Sequence, residues 1–321
     1  MVIKETRYLS LEKPEKVNLK YIVRCMKAMV MSPIYKCIMN FQYPQTIEKR
    51  YNVSMCAIFR DESKYLKEWI SYHLVVGIEH FYLYNNFSED DFLQVLQPFI
   101  DKEQVTLIDW PVHLGQLSAY EDCISKYSDQ TKWIGFIDLD EFVVPNKMNS
   151  IYQFLQGFEK KRPAVLIYWK YFGTSGKIER DEAGLVIEDF TICWEKFENM
   201  GKCFFNTKYS FNPQNKHNKH FYHNLWGRYM GIELPPVNIE DKPIICGIHH
   251  VHTNDFPIQI NHYVVKSYKE YWDKKAKRGG GTHDGMHDNE YFWHHESKCQ
   301  SADYHIFRFL IKLKRKLWNE K

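Results

Sequence analysis

The sequence predicts an α/β protein, a mostly parallel central sheet with helices on its flanks, and three observations carry that prediction. Between Val53 and Ile137 four short apolar runs alternate with three segments of helical periodicity, the pattern of successive right-handed β-α-β units. The runs open onto polar residues, first Asp61 and Glu62, then Asn85 and Asn86, then Asp138 and Asp140. Ligands bind in that position in open α/β sheets, just beyond the carboxyl ends of the strands. Finally, 321 residues with 44% hydrophobic and 26% charged content suit a soluble globular chain able to bury a sizeable core.

Residues 1–50 read as a helical appendage. Tyr21 to Phe41 mixes apolar and basic residues and is interrupted by Pro33, which predicts two short helices. They either pack on the domain or lie on an anionic membrane with Arg24, Lys27 and Lys36 at the headgroups. The main domain, 51–300, begins with a strand over Val53–Phe59. Ser63 then offers an N-cap, and Leu66, Trp69, Ile70, His73 and Leu74 form one helical stripe that Gly77 ends. His80–Tyr84 is the second strand. Ser88 caps a helix with Glu89, Asp90 and Asp91 in its first turn and Phe92, Leu93, Val95 and Leu96 on its buried side. Val105–Trp110 is the third strand, Gln116–Tyr127 the next helix and Trp133–Ile137 the fourth strand. At the far end, 301–321, Ile306, Leu310, Leu313 and Leu317 share a stripe opposite Arg308, Lys312, Lys314, Arg315 and Lys316. This basic amphipathic helix either docks with a solvated basic face or meets an anionic membrane.

The fourth strand leads into Lys132–Pro145, KWIGFIDLDEFVVP, where an apolar run opens onto Asp138, Asp140 and Glu141. On extended backbone, carboxylates at i and i+2 point to one side. Acids so close repel unless a cation lies between them, and hard divalent ions accept carboxylate oxygen. No Gly-x-Gly-x-x-Gly follows the first strand and no Walker lysine loop is present, so phosphate would need a metal instead of a glycine cradle. The net charge of +3 gives no footprint for nucleic acid. Eight scattered cysteines without a C-x-x-C pair or a signal peptide suit reduced thiols in the cytoplasm. No run reaches the roughly 18 apolar residues of a membrane span.

CAIFRDESKYLKEWISYHLVVGIEHFYLYNNFSEDD followed by WIGFIDLDEFVVP resembles the bacterial branch of the glycosyltransferases related to family 92, and the family 2-like enzymes, on the GT-A fold. YWKYFGTSG (168–176), LVIEDF (185–190), NPQNKHNKHF (212–221) and INHYVVKSYKEYWDKKAKRG (260–279) extend the resemblance over about 53–310. The chain departs from the family pattern at Arg60-Asp61, where the family has lysine-asparagine, and at Asn85, where it has aspartate. The resemblance implies a nucleotide-diphospho-sugar transferase sheet and an inverting transfer. Asp138 and Asp140 would then hold manganese or magnesium on the donor diphosphate, with Arg60, Glu62 and Asn86 beside the nucleoside. A histidine from the C-terminal half completes many such sites. His262 is the expected third ligand, His220 its competitor, and a core histidine the plain alternative.

Lys266, Lys277 and Arg278 are expected to hold the pyrophosphate, although a solvated helix face explains any one of them. Glu188 and Asp189 are the candidate bases for the acceptor hydroxyl. Phe172–Gly176 reads as a close-approach loop, with Trp169 and Phe172 available to stack on a sugar. Zinc at His283 and His287, with His249, His250, His252, His294 and His295 nearby, is disfavoured because three glycines precede the pair. Those glycines read as a loop closing over bound donor. The sequence therefore points to a metal-dependent transferase moving a sugar from a nucleotide-sugar, of the UDP type, to a hydroxyl of a surface glycan or glycolipid. It would act in the cytoplasm, at the inner face of the membrane if peripheral. The rivals are a nucleotidyltransferase, which would want a glycine-rich entry loop, and a non-catalytic sugar- or lipid-binding module.

Overall fold

The computed structural model describes residues 11, 17–45, 48–181, 183–215, 217, 223–275 and 288–319. Its centre is one sheet of eight strands: β1 (Tyr51–Phe59), β2 (His80–Asn85), β3 (Val105–Asp109), β4 (Thr131–Phe136), β5 (Glu141–Pro145), β6 (Ala164–Tyr171), β7 (Gly201–Asn206) and β8 (Ile258–His262). Their order across the sheet is β3-β2-β1-β4-β7-β6-β8-β5. The half built from the β-α-β units is wholly parallel, with Cys56 in register between Tyr82 and Phe136. Beyond β4 the character changes. β7 runs antiparallel to both β4 and β6, and β5 antiparallel to β8. β6 and β8 pair in parallel, so the sheet is mixed but mostly parallel as expected, and its antiparallel pairs fall where helical crossovers of that length are missing.

Strands β5 to β8 are buried at every position, and all but Lys132 of β4 is buried too. Two glycines show how tightly β4, β6 and β7 meet. A Cβ on Gly201 would sit 1.9 Å from the Ile167 carbonyl oxygen, and one on Gly135 2.4 Å from the Phe204 ring.

The helices flanking the parallel half are α2 (Ser63–Val75), α3 (Phe92–Asp101) and α4 (Gln116–Tyr127). Gly77 follows α2 at φ +95°, as a helix-ending glycine should. Two capping expectations are corrected. Ser63 lies inside α2, and its backbone N–H donates to Asp90 Oδ2 at 2.8 Å. Ser88 accepts from Asp61 N at 2.9 Å, and α3 begins only at Phe92. The Ser88–Asp91 stretch therefore ties the loops after β1 and β2 together instead of capping a helix.

At the N-terminus α1 (Leu19–Asn40) is one continuous helix through Pro33, not two. One face docks: Ala28, Ser32 and Met39 are buried, Arg24 donates to Cys246 O, Ser32 to Pro243 O, and Lys36 pairs with Asp241. Arg24 and Lys36 therefore hold the helix to the domain, and the packing reading is right for this face. At the other end a 3-10 turn, His305–Phe309, leads into a helix over Leu310–Asn319 that rests on α2 through Phe309 and Leu313. No described helix is long and apolar enough to cross a membrane.

Candidate active site

The strand ends converge as the alternation predicted. Arg60 and Glu62 follow β1, Asn86 follows β2 and Asp138 follows β4. The loops here are bent sharply: Asp61, Phe87 and Leu114 all have φ near +50° to +58°, unusual for residues with a Cβ and frequent where a ligand must be approached.

The two aspartates do not lie on extended backbone. Glu141 N donates to Asp138 O at 3.1 Å, so residues 138–141 form a turn that sends the acids to different partners. Asp138 meets three side chains. Its Oδ2 accepts from Lys202 at 2.8 Å, and its Oδ1 from Gln116 and the Tyr120 hydroxyl, each at 3.0 Å. Asp138, expected from the spacing as a ligand, thus has an ammonium set against its carboxylate. Asp140 turns instead to β8, where its Oδ1 lies 3.5 Å from His262 Nε2. Behind the imidazole, Glu141 Oε1 is 3.9 Å from Nδ1 and 3.8 Å from Lys202 Nζ. Asp140, Glu141 and His262 each offer a ligand atom within 4.8 Å of the others.

Glu141 is fully buried. Its Oε2 accepts from Asp138 N at 3.0 Å, while its Oε1 has no hydrogen-bond partner among the described residues. Burial pushes its carboxyl well up, and Lys202 pulls it back. The Trp69 indole pins the turn by donating to Asp138 O at 3.1 Å and Glu141 O at 2.8 Å. Trp169 lies 4.9 Å from the His262 ring.

A second group gathers at the start of α2. Lys266, at φ +52°, places Nζ 3.7 Å from the Tyr65 ring, close enough to Glu270 to act on its carboxyl. Tyr65 donates to Glu270 at 2.5 Å, Lys64 and Arg180 flank that carboxylate, and Lys274 pairs with Glu62 at 2.5 Å. Burial would raise the Glu270 carboxyl, but the Tyr65 and Ser267 hydroxyls with Lys64 and Lys266 hold it at about 2. Glu62 and Lys266 thus belong to one charged cluster. Arg60 projects over Phe87 at 5.9 Å, half exposed. Asn86 spends its amide on Trp110 O at 2.7 Å and Val112 O at 2.9 Å.

The remaining candidates separate. Glu188 and Asp189 lie on a short helix, Val186–Asp189, capped by Glu68. Glu188 pairs with Lys314 at 2.6 Å and Asp189 with Lys177 at 2.9 Å. These ties lead to the C-terminal helix and the 172–181 loop rather than to the turn after β4. Phe172 is buried against Tyr263 at 4.9 Å and cannot stack on a sugar. His249 bonds the Tyr168 hydroxyl and His295 stacks on Trp194. His220, Lys277, Arg278, His283, His287 and the three glycines lie outside the described residues. Lys202 was missed from sequence, although a lone ammonium inside the apolar strand GKCFFN was a usable signal.

A sequence model described as Glycosyltransferase family 92 matches residues 49–300. A Ricinus communis protein described as a glycosyltransferase family 92 protein is 35% identical over 104 residues, 32% of this chain and 19% of that protein. The Caenorhabditis elegans beta-1,4-galactosyltransferase galt-1 is 30% identical over 155 residues, 44% of this chain and 36% of that one. The matches therefore span well under half of these relatives' length. Among solved structures, S. aureus TarS overlaps 49% of this chain and 47% of its own at 12% identity and a TM-score of 0.35, too slight a likeness to carry weight.

Proposed function

The chain belongs to glycosyltransferase family 92, and from that premise we propose that it transfers a sugar from a nucleotide-sugar, of the UDP type, to a hydroxyl of a glycan or glycolipid acceptor with help from a divalent cation. The observation that carries the reading is the Asp140–His262 approach of 3.5 Å with Glu141 behind the ring. A ligating imidazole is commonly oriented by a carboxylate at its other nitrogen. The buried Glu141 Oε1, lacking a hydrogen bond, suits that position. The donor set of oxygen and neutral imidazole fits manganese, and magnesium less well. When bound, such an ion would neutralise the charge that develops on the departing diphosphate.

The chain's own residues supply the rest. Lys202 pairs with Asp138 and holds it in place beside the turn after β4. Lys266, which lies over the Tyr65 ring beside Glu270, is proposed to meet the diphosphate; Lys277 and Arg278 are proposed to add to it. Arg60, Glu62 and Asn86 are proposed to border the nucleoside, Asn86 by holding its wall. Glu188 and Asp189 are proposed as the candidate bases, the first paired with Lys314 and the second with Lys177.

A thermal-shift panel of nucleoside diphosphates and nucleotide-sugars, with and without manganese, tests this on wild type and Asp140→Asn. Ligand at about 100 times its dissociation constant adds roughly 2.7 kcal/mol. The expected result is a shift that needs both manganese and a uridine nucleotide and disappears in the variant. A folded protein that responds to no nucleotide refutes the transferase reading. A response without donor turnover or hydrolysis favours the binding module.

A further inference from the structure

The docked face of α1 leaves the opposite face without cover among the described residues. At about 100° per residue, Leu19, Val23, Met26, Met29, Val30 and Ile34 fall in a single arc, and none is buried. Val23 is 50% exposed, Met26 54%, Met29 63% and Val30 61%. Lys20 and Lys27 border the arc on one side, and the whole helix, LKYIVRCMKAMVMSPIYKCIMN, contains no acid. Beyond its C-terminal end the apolar surface continues into a cavity of about 540 Å³, lined by Cys37, Phe41, Tyr43, Met230 and Ile232 among others. Met230, at the tip of a hairpin, is 85% exposed.

Long apolar faces are rarely left open to water without a partner. A second copy could cover this one, but pairing the same face across a two-fold axis would bring two acid-free, lysine-bordered helices together. An anionic bilayer complements both features. Its acyl region takes the apolar arc, and its headgroups take the bordering lysines, as for helices lying in the membrane interface. We propose that α1 is a bilayer-docking element: the Leu19–Ile34 face lies in the interface of an anionic membrane, and the adjoining cavity takes one lipid hydrocarbon chain. Arg24 and Lys36 fasten the helix to the domain from behind, so docking fixes the orientation of the whole enzyme and does not merely tether it. The inference uses none of the donor-site residues.

The test is co-sedimentation of the full chain with vesicles of phosphatidylcholine and phosphatidylglycerol in equal parts, against phosphatidylcholine alone. Wild type should bind the anionic vesicles, and Met26→Glu/Val30→Glu should bind about tenfold more weakly or worse. Lys20→Glu/Lys27→Glu, which leaves every apolar side chain in place, should lose the preference for anionic lipid. Both variants should keep the wild-type melting temperature and nucleotide response, since all four positions face solvent. Absence of vesicle binding by wild type overturns the proposal, as does binding that Met26→Glu/Val30→Glu leaves intact. A dimer in sedimentation velocity that the same substitutions dissolve also overturns it and assigns the face to a second copy. Nucleotide binding without vesicle binding would sink this inference alone, and vesicle binding without nucleotide binding would sink only the transfer reading.

Discussion

Replacing Lys202 by methionine is the sharpest probe of how the turn after β4 is held. The ammonium is 1% exposed, 2.8 Å from Asp138 Oδ2 and 3.8 Å from Glu141 Oε1. Methionine is one atom shorter but close in volume, and it removes the charge, so the change is chiefly electrostatic. Removing one member of a buried ion pair costs about 3–5 kcal/mol, because the partner is left buried and uncompensated. Asp138 is one-third exposed and water can meet part of its need, whereas Glu141 is fully buried. The low end, about 3 kcal/mol, is therefore expected, which lowers the melting temperature by roughly 5 °C or more. Urea denaturation of wild type, Lys202→Met, Glu141→Gln and the double variant measures the coupling directly. Residues in one buried network couple by about 0.5–3 kcal/mol, and a value above about 1 kcal/mol is expected here. A Lys202→Met cost below about 1 kcal/mol, or strictly additive variants, would refute the claim that this ammonium holds the acids.

Other expectations follow from the same structure. Burial holds His73 at about 3 and His80 and His249 at about 4. All three bind protons more readily when unfolded, so the stability they contribute is complete above about 6.5 and is lost as pH falls toward 4 and then 3; a urea midpoint flat between pH 7 and 4.5 would contradict this. Gly201→Ala should cost well over 3 kcal/mol or abolish soluble expression, since its Cβ would meet the Ile167 carbonyl at 1.9 Å and backbone cannot step aside; a melting temperature near wild type would count against the β6–β7 packing. Asp241→Ala strands Arg162, whose side chain is nearly buried, and frees Lys36. Limited proteolysis should then cut near α1 well before the core, and unchanged cleavage would show that apolar contacts alone hold the helix.

The parallel half of the sheet was legible because each of its elements announces itself locally: a run of the right period, a stop at Gly77, polar residues at the strand ends. The mixed half was not. β5 to β8 are short, wholly buried runs in which period says nothing about direction, and their pairings join segments far apart in sequence, such as Val143 with Ile260. The helix caps misled for a related reason. Ser63 and Ser88 are good capping residues in isolation, but tertiary contacts to Asp90 and Asp61 claim them first. Pro33 was over-read, since a proline in a long helix bends it more readily than it ends it when tertiary contacts such as those of Ser32 and Lys36 hold both sides.

At the site, sequence gave the acids but could not divide their labour. Spacing puts Asp138 and Asp140 two residues apart; only the turn shows that they face different partners, Lys202 on β7 and His262 on β8. The division has an electrostatic consequence. Three carboxylates lie within four residues, and Lys202 is set against two of them, Asp138 and Glu141. A buried group can shed its charge by taking up a proton or by gaining a cation. Glu141 is placed for the first route by its burial, and Asp140 with His262 for the second. The two routes differ in a measurable way: a site relieved by protonation binds manganese with release of about one proton, whereas a site already ionised binds it with none. Isothermal titration of manganese in two buffers of different ionisation enthalpy gives that number. Proton release that disappears in Glu141→Gln would show the buried acid handing its role to the metal. Equal release in both proteins would place the proton elsewhere and remove Glu141 from the metal's electrostatics.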